Sequence, residues 1–150
     1  MDIVKPAVRS RMMAGIRNKH TKPEIVVRHL LHGSGFRYRL HQSRLPGAPD
    51  IVLAKYRTAV FVHGCFWHQH RGCRLAKMPS SNVEFWEKKL HGNRARDQRH
   101  VDQLRASGWR VLTVWECVTR DPAQWPSLAE HMAAFIRGTQ QVAEFPDTPL

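Results

Sequence analysis

The segment FVHGCFWHQHRGC, residues 61–73, contains two cysteines, three histidines and an adjacent aromatic pair. It follows the run TAVFVH, whose Val and Phe content is typical of a strand. Cys65, His70 and Cys73 are the kinds of ligand that structural Zn²⁺ prefers, and Cys117 would complete a tetrahedral Cys3His set from beyond a later strand. A chain folded around this ion must bring the loop and that strand together. The alternative is a group of inert thiols, and the spacing does not match a zinc finger.

A hairpin precedes this loop, formed by DIVLA and TAVFVH around the turn KYR. If Ala54 pairs with Thr58, Asp50 lies opposite Val62, and a slip of one residue places it opposite His63. Either register brings the Asp50 carboxylate, the Val62 carbonyl and the His63 ring to one end of the sheet, where Mg²⁺ would find the oxygen ligands that it accepts. The alternative is that Asp50 only caps the proline-bounded turn LPGAPD.

The charge balance indicates a polyanionic partner. The 150 residues are enough for one domain with a core, and 24 Lys and Arg against 12 Asp and Glu give a net charge of +12 and a pI near 10.6. Nucleic acid is the commonest soluble polyanion, although a basic surface with no such partner is the alternative. The N-terminus lacks the apolar centre of a secretory signal, and no run approaches the ~18 apolar residues of a membrane span. These features predict a cytoplasmic protein whose three cysteines stay reduced.

The first part of the chain predicts two helices and a strand. Ser10 is placed to cap a short basic helix. The segment TKPEIVVRHLLHGSG carries a capping box, Thr21 with Glu24, and we expect Gly33 to be the C′ glycine that stops its helix. FRYRL alternates as a strand does.

The second part predicts three helices around one buried strand. SSNVEFWEKKL has a second capping box, Ser81 with Glu84, and we expect Gly92 to end this helix and Asn93 to cap the next. WRVLTVWE is a buried strand, PSLAEHMAAFIR a helix, and residues 138–150 a loose tail. The order α-β-β-β-α-β-α predicts an α/β fold, with a mixed sheet flanked by helices.

Phe66 and Trp67 stand between the first cysteine and His68. A loop held by a metal would present them rigidly, and on a basic protein exposed aromatic rings stack on bases or insert between them. The alternative is that they belong to the core.

Three segments together, LPGAPDIVLAKYRTAVFVHGCFWHQHRGC, EFWEKK and GWRVLTVWEC, resemble the very-short-patch-repair (Vsr) DNA mismatch endonucleases. The similarity runs from about Ser10 to Cys117. It implies a restriction-endonuclease-like α/β fold and one strand nicked 5′ of the T in a T·G mismatch. Such mismatches arise at cytosine-methylation sites when 5-methylcytosine deaminates. The resemblance also implies a monomer, and a functional association with a cytosine-5 DNA methyltransferase.

The resemblance further implies residue roles. Asp50 and the Val62 carbonyl would bind catalytic Mg²⁺. The other catalytic residues would be His63, His68, Glu24 and Asp97, with His68 paired to Glu24 for proton transfer while His63 and Asp97 position water. The structural Zn²⁺ would be held by Cys65, His70, Cys73 and Cys117. Phe66 and Trp67 would intercalate beside the mismatch, and Met13, in a DNA-contacting arm of about residues 1–20, would be a second wedge.

Two rival functions remain open from the sequence. A zinc-stabilised DNA-binding module would explain the charge and the cysteines but would leave Asp50, His63, Glu24 and Asp97 without a task. A nuclease of the same fold that acts on other DNA lesions would use all of them.

Overall fold

The computed structural model describes residues 20–147. The predictions for the Ser10 helix, for Met13 and for the N-terminal arm up to residue 19 lie outside this range. The elements are α1 (Lys22–Gly33), β1 (Arg39–Leu40), β2 (Ile51–Leu53), β3 (Thr58–His63), α2 (Val83–Ala106), β4 (Arg110–Trp115), α3 (Glu116–Thr119), α4 (Trp125–Arg137) and β5 (Val142–Phe145).

Within the described range the strands form one sheet in the order β1-β2-β3-β4-β5. The pairs β1–β2 and β2–β3 are antiparallel, whereas β3–β4 and β4–β5 are parallel. One face packs against apolar residues of α1 and α4, including Val27 and Met132, and the other against Leu104 of α2. The predicted class, a mixed sheet flanked by helices, is confirmed. No helix between residues 20 and 147 has the length and apolar character to cross a membrane.

Helix α1 begins as predicted and ends later than predicted. The Thr21 hydroxyl accepts a hydrogen bond from the Glu24 backbone N–H at 3.3 Å, while the Glu24 carboxylate accepts one from the His20 N–H rather than from Thr21. Gly33 is not the C′ residue that was predicted, because it is still helical and Ser34 is the C-cap. Gly35 takes the left-handed conformation, with φ +93°, in which the chain turns away.

The hairpin forms with a register that neither predicted pairing gave. Leu53 pairs with Thr58 and Ile51 with Val60. The connection between the strands is one residue longer than predicted, because Ala54 leaves the strand and enters a short 3-10 turn that ends at Arg57 in the left-handed conformation. Asp50 therefore lies just before the paired segment.

Helix α2 is one continuous helix of 24 residues, so the predicted break at Gly92, the Asn93 cap and the Ser81–Glu84 capping box are wrong. Its buried residues are Leu90 and Leu104. Residues seven apart share a helix face, so Asp97 lies on the same stripe midway between these two apolar anchors. The anchors stabilise a helix through Gly92, whose cost in a helix interior is only about 1 kcal/mol.

The C-terminal segment, predicted to be a loose tail, contains β5, which pairs in parallel with β4 from Val111–Val142 to Val114–Phe145. Its exposed and half-buried residues alternate, and Val142 remains 45% exposed. This short, half-exposed strand forms because the open edge of β4 offers backbone partners and because Ala143 and Phe145 pack against the core, neither of which its own sequence indicates.

Candidate active site and metal centre

The candidate residues collect along one edge of the sheet. β3 and β4 run in parallel and end opposite each other, at His63 and Trp115. β2 is antiparallel to β3, so its beginning, next to Asp50, lies at the same edge, as does the end of β1. Strand direction therefore brings together residues from positions 41 to 117.

Asp50 is held at this edge by a backbone donor. Its carboxylate Oδ2 accepts a hydrogen bond of 2.7 Å from the Val62 N–H. The N–H and C=O of a strand residue point to the same side, so the Val62 carbonyl also faces the side where β2 has ended. Two oxygen ligands for a hard cation are thus available together, as the sequence predicted, although the register differs.

Glu24 and Asp50 form a pair of facing carboxylates. Burial raises the pKa of Asp50 from 3.8 to about 8; the Val62 N–H opposes this shift, and the charge of Glu24 adds to it. Glu24 is only 2% exposed and bonds to Arg28 at 3.0 Å. Together with His41 they place three possible ligand atoms within 4.8 Å of one another. A divalent cation would relieve the repulsion of this pair, so the donor set fits such an ion.

A second cluster contains His63, His68 and Asp97. His68 Nδ1 lies 2.6 Å from Asp97 Oδ2, and the rings of His63 and His68 stack in parallel with centroids 3.8 Å apart. The prediction that His68 pairs with Glu24 is therefore wrong, because the long helix α2 presents Asp97 to it. Burial and the neighbouring His68 lower the pKa of His63 to about 3, so His63 remains neutral at physiological pH.

The four predicted zinc ligands come together because the parallel strands β3 and β4 end side by side. Cys65 and Cys117 each lie two residues beyond the paired ends of β3 and β4. His70 and Cys73 return through a tight loop, in which the His70 N–H bonds to the Cys65 carbonyl at 2.9 Å. The His70 ring is 2% exposed and stacks on Trp115 with centroids 4.3 Å apart.

The distances within this cluster fit a tetrahedral ion. His70 Nδ1 lies 3.7 Å from Cys65 Sγ and 3.6 Å from Cys117 Sγ. With Zn–S near 2.3 Å and Zn–N near 2.0 Å, neighbouring ligands of a tetrahedral zinc are about 3.6 Å apart. Contact between the thiols raises the pKa of Cys65 and lowers that of Cys117 to about 7. The cluster can therefore hold a metal, in agreement with a zinc site.

The aromatic pair of the loop lies beside these clusters. Trp67 is 50% exposed, whereas Phe66 is half-buried and packs edge-on against Trp86 of α2 with centroids 5.5 Å apart. The Asn93 side-chain amide donates to the Trp67 carbonyl at 3.0 Å and so ties the loop to α2. The core alternative therefore does not apply to Trp67.

Sequence reasoning missed three members of this region: His41, Trp86 and Asn93. The sequence pattern places His41 in no element, and it predicts Trp86 and Asn93 only as parts of two separate helices. A continuous α2 would have shown that Trp86, Asn93 and Asp97 lie along one side of the helix at spacings of seven and four.

Comparison with known proteins identifies the family. The sequence model described as DNA mismatch endonuclease Vsr matches residues 1–74. The type II nicking enzyme V.XorIIP of Xanthomonas oryzae pv. oryzae is 50% identical over 120 residues, which cover 80% of this chain and 88% of that protein. The DNA mismatch endonuclease Vsr of Escherichia coli K12 is 44% identical over 119 residues, which cover 79% and 76%. The chain therefore belongs to the Vsr family of DNA mismatch endonucleases.

Proposed function

We propose that this endonuclease nicks one strand 5′ of the T in T·G mismatches that arise from deaminated 5-methylcytosine, and that it requires Mg²⁺. The observation that carries this proposal is the position of the Glu24–Asp50 pair, of which Glu24 is buried and Asp50 half-buried, and of the His68–Asp97 pair at one sheet edge, next to a half-exposed tryptophan. A binding module that lacks catalysis has no need of two facing carboxylates that are shielded from solvent.

In this proposal Asp50 and the Val62 carbonyl hold the catalytic ion. Mg²⁺, when bound, supplies a Lewis acid for the scissile phosphate. Asp50 is fixed for this role by the 2.7 Å hydrogen bond from the Val62 N–H. Glu24, held by Arg28 and the His20 N–H, keeps its carboxylate beside that of Asp50.

His68 is our candidate for proton transfer. When its Nδ1–H donates to Asp97, Nε2 carries the lone pair and can exchange a proton with the reacting water or the leaving oxygen. Asp97 fixes this tautomer and stabilises the protonated ring. His63, stacked on His68 and neutral, keeps the ring in place and leaves any positive charge on His68.

Trp67 and Phe66, backed by Trp86, are proposed as a wedge between base steps. Unstacking costs a few kcal/mol, and least where pairing is already defective, so a rigid wedge favours a T·G wobble over a matched pair. Helix α2 would lie against the phosphates, since its surface carries a series of exposed basic side chains, Lys88, Lys89, Arg94, Arg96 and Arg99.

The test is a nicking assay on labelled duplexes that differ only in one T·G or T·A pair. With Mg²⁺ we expect a nick on the T-containing strand of the mismatched duplex, 5′ of the T, and none on the matched duplex or in the presence of a chelator. Binding without a nick would support the non-catalytic module. A nick at another lesion but none at T·G would support a nuclease of different specificity.

Trp67→Ala should weaken binding to the mismatched duplex at least tenfold and to the matched duplex much less. This follows because stacking contributes roughly 1–3 kcal/mol per base. Titrations of both duplexes, with zinc content measured in parallel, test it. Ile25→Ala is the matched control, because it truncates an exposed apolar side chain elsewhere, on α1. It should change the affinity for neither the mismatched nor the matched duplex. An equal loss of affinity for both duplexes would show that Trp67 contacts DNA whether or not a mismatch is present.

We extend the proposal to partners. The protein would act as a monomer and in association with a cytosine-5 DNA methyltransferase, whose product is the source of the mismatch. Nicking duplexes in which the T·G pair lies inside or outside methyltransferase recognition sites tests the association, and light scattering of the DNA complex tests the stoichiometry.

A further inference from the structure

His41 is a residue of the carboxylate cluster to which the sequence assigned no role. It directly follows β1, and its N–H donates to the Asp50 carbonyl at 3.1 Å, which extends the β1–β2 ladder by one position. His41 has φ +44°, a conformation that few residues other than glycine adopt. This backbone bend lies directly opposite Asp50.

The contact between His41 and Glu24 is too long for a strong hydrogen bond. His41 Nε2 lies 3.4 Å from Glu24 Oε2, and that oxygen already accepts shorter bonds from the His20 N–H at 2.7 Å and from Arg28 at 3.0 Å. An oxygen with two good donors does not need a third. The position of the imidazole is therefore not explained by its bond to Glu24.

The spacing of the three side chains fits ligands around one ion. The ligand atoms of Glu24, His41 and Asp50 all lie within 4.8 Å of one another. Around an octahedral ion with bonds of about 2.1 Å, ligand atoms are roughly 3 Å apart when adjacent and roughly 4.2 Å apart when opposite. Small side-chain adjustments would bring all three atoms to one ion.

We propose that His41 Nε2 is a ligand, with Asp50 and Glu24, of the divalent ion at this edge, and that the ion it favours is a first-row transition ion such as Mn²⁺. This inference rests on the proposed role of Asp50 as a metal ligand. Imidazole is a borderline ligand that transition ions accept well, whereas Mg²⁺ prefers oxygen. The site would bind Mg²⁺ through its carboxylates and Mn²⁺ more tightly, because the nitrogen also contributes.

The test uses zinc-loaded protein and His41→Asn, since asparagine tolerates the left-handed backbone at this position and its side chain carries no imidazole. Mn²⁺ binding is measured from the EPR signal of the free ion, and Mg²⁺ binding by competition. We expect His41→Asn to weaken Mn²⁺ binding about tenfold or more and Mg²⁺ binding less than threefold. The ¹⁴N coupling to bound Mn²⁺, seen by pulsed EPR in the wild type, should fall in the variant.

Two further variants make the outcomes distinguishable. His32→Asn, at an exposed histidine in the last turn of α1, should bind both ions as the wild type does. Asp50→Asn should lose both ions; if it does not, the proposed metal site itself is wrong. If Asp50→Asn loses them while His41→Asn keeps Mn²⁺ affinity, or loses Mn²⁺ and Mg²⁺ equally, then His41 is not a ligand and the inference is overturned. Thermal melting of His41→Asn verifies that it is folded.

Discussion

Asp50→Asn should abolish nicking, with a fall of about a thousandfold or more in the single-turnover rate, and should leave mismatch binding nearly unchanged. The amide keeps an oxygen acceptor for the Val62 N–H but removes the charge that holds the cation. Loss of several kcal/mol of transition-state stabilisation corresponds to this factor. Asp121→Asn is the matched control, since asparagine also caps the turn that Asp121 caps, and its rate should equal that of the wild type.

The same variant should be more stable than the wild type when no divalent ion is present. The folded protein keeps the Asp50 proton up to a pH of about 8, whereas the unfolded chain releases it near 3.8. The wild type therefore loses stability from this group as the pH rises from about 4 to 8. We expect the Tm of Asp50→Asn to exceed that of the wild type at pH 8, with a smaller gap at pH 4.5. In the nicking experiment with Asp50→Asn, a loss of DNA binding together with residual cleavage would show that Asp50 is not in the active site.

Cys117→Ser should release the bound zinc and lower the Tm by roughly 10 °C. Wild-type protein should contain about one zinc per chain, because three thiols and one imidazole converge on one point. In a chain of this size that change in Tm corresponds to roughly 3–5 kcal/mol. The physical reason is that the ion joins the loop after β3 to the helix after β4, so its binding free energy also stabilises the fold.

Metal analysis and thermal melting of the purified proteins measure both effects. Trp67→Ala serves as the control within the same loop, because the Trp67 side chain is half-exposed and is not one of the four zinc ligands. This variant should keep its zinc. Protein that contains no zinc, or a Cys117→Ser variant with unchanged zinc content and Tm, would contradict the structural zinc site.

Much of the fold was predictable from local patterns. The strands TAVFVH and RVLTVW are apolar runs with no competing helical spacing, and both form at the predicted positions as β3 and β4. Helix α4 buries Leu128, Met132, Phe135 and Ile136 as its spacing predicts. Long, strongly patterned elements bury the same residues in most packings, so their sequence is sufficient to identify them.

Weakly patterned elements could not be predicted in this way. Helix α2 continues through Gly92 and Asn93 because Leu90 and Leu104 both reach the core, although both local residues favour a break. Strand β5 forms because β4 has an open edge, and the hairpin register depends on a short 3-10 turn at Ala54. At Gly92 the tertiary contacts of the helix outweigh a local cost of about 1 kcal/mol.

The sequence by itself determined the chemistry of this protein: the cysteine and histidine ligands, the Asp50 carboxylate, the Trp67 ring and the resemblance that joins them. Only the tertiary structure decided which of these side chains contact one another. It pairs His68 with Asp97 and places His41 beside Glu24. The physical reason is that ligand type is a property of single residues, whereas pairing depends on strand direction, on register and on which face of a long helix meets the sheet.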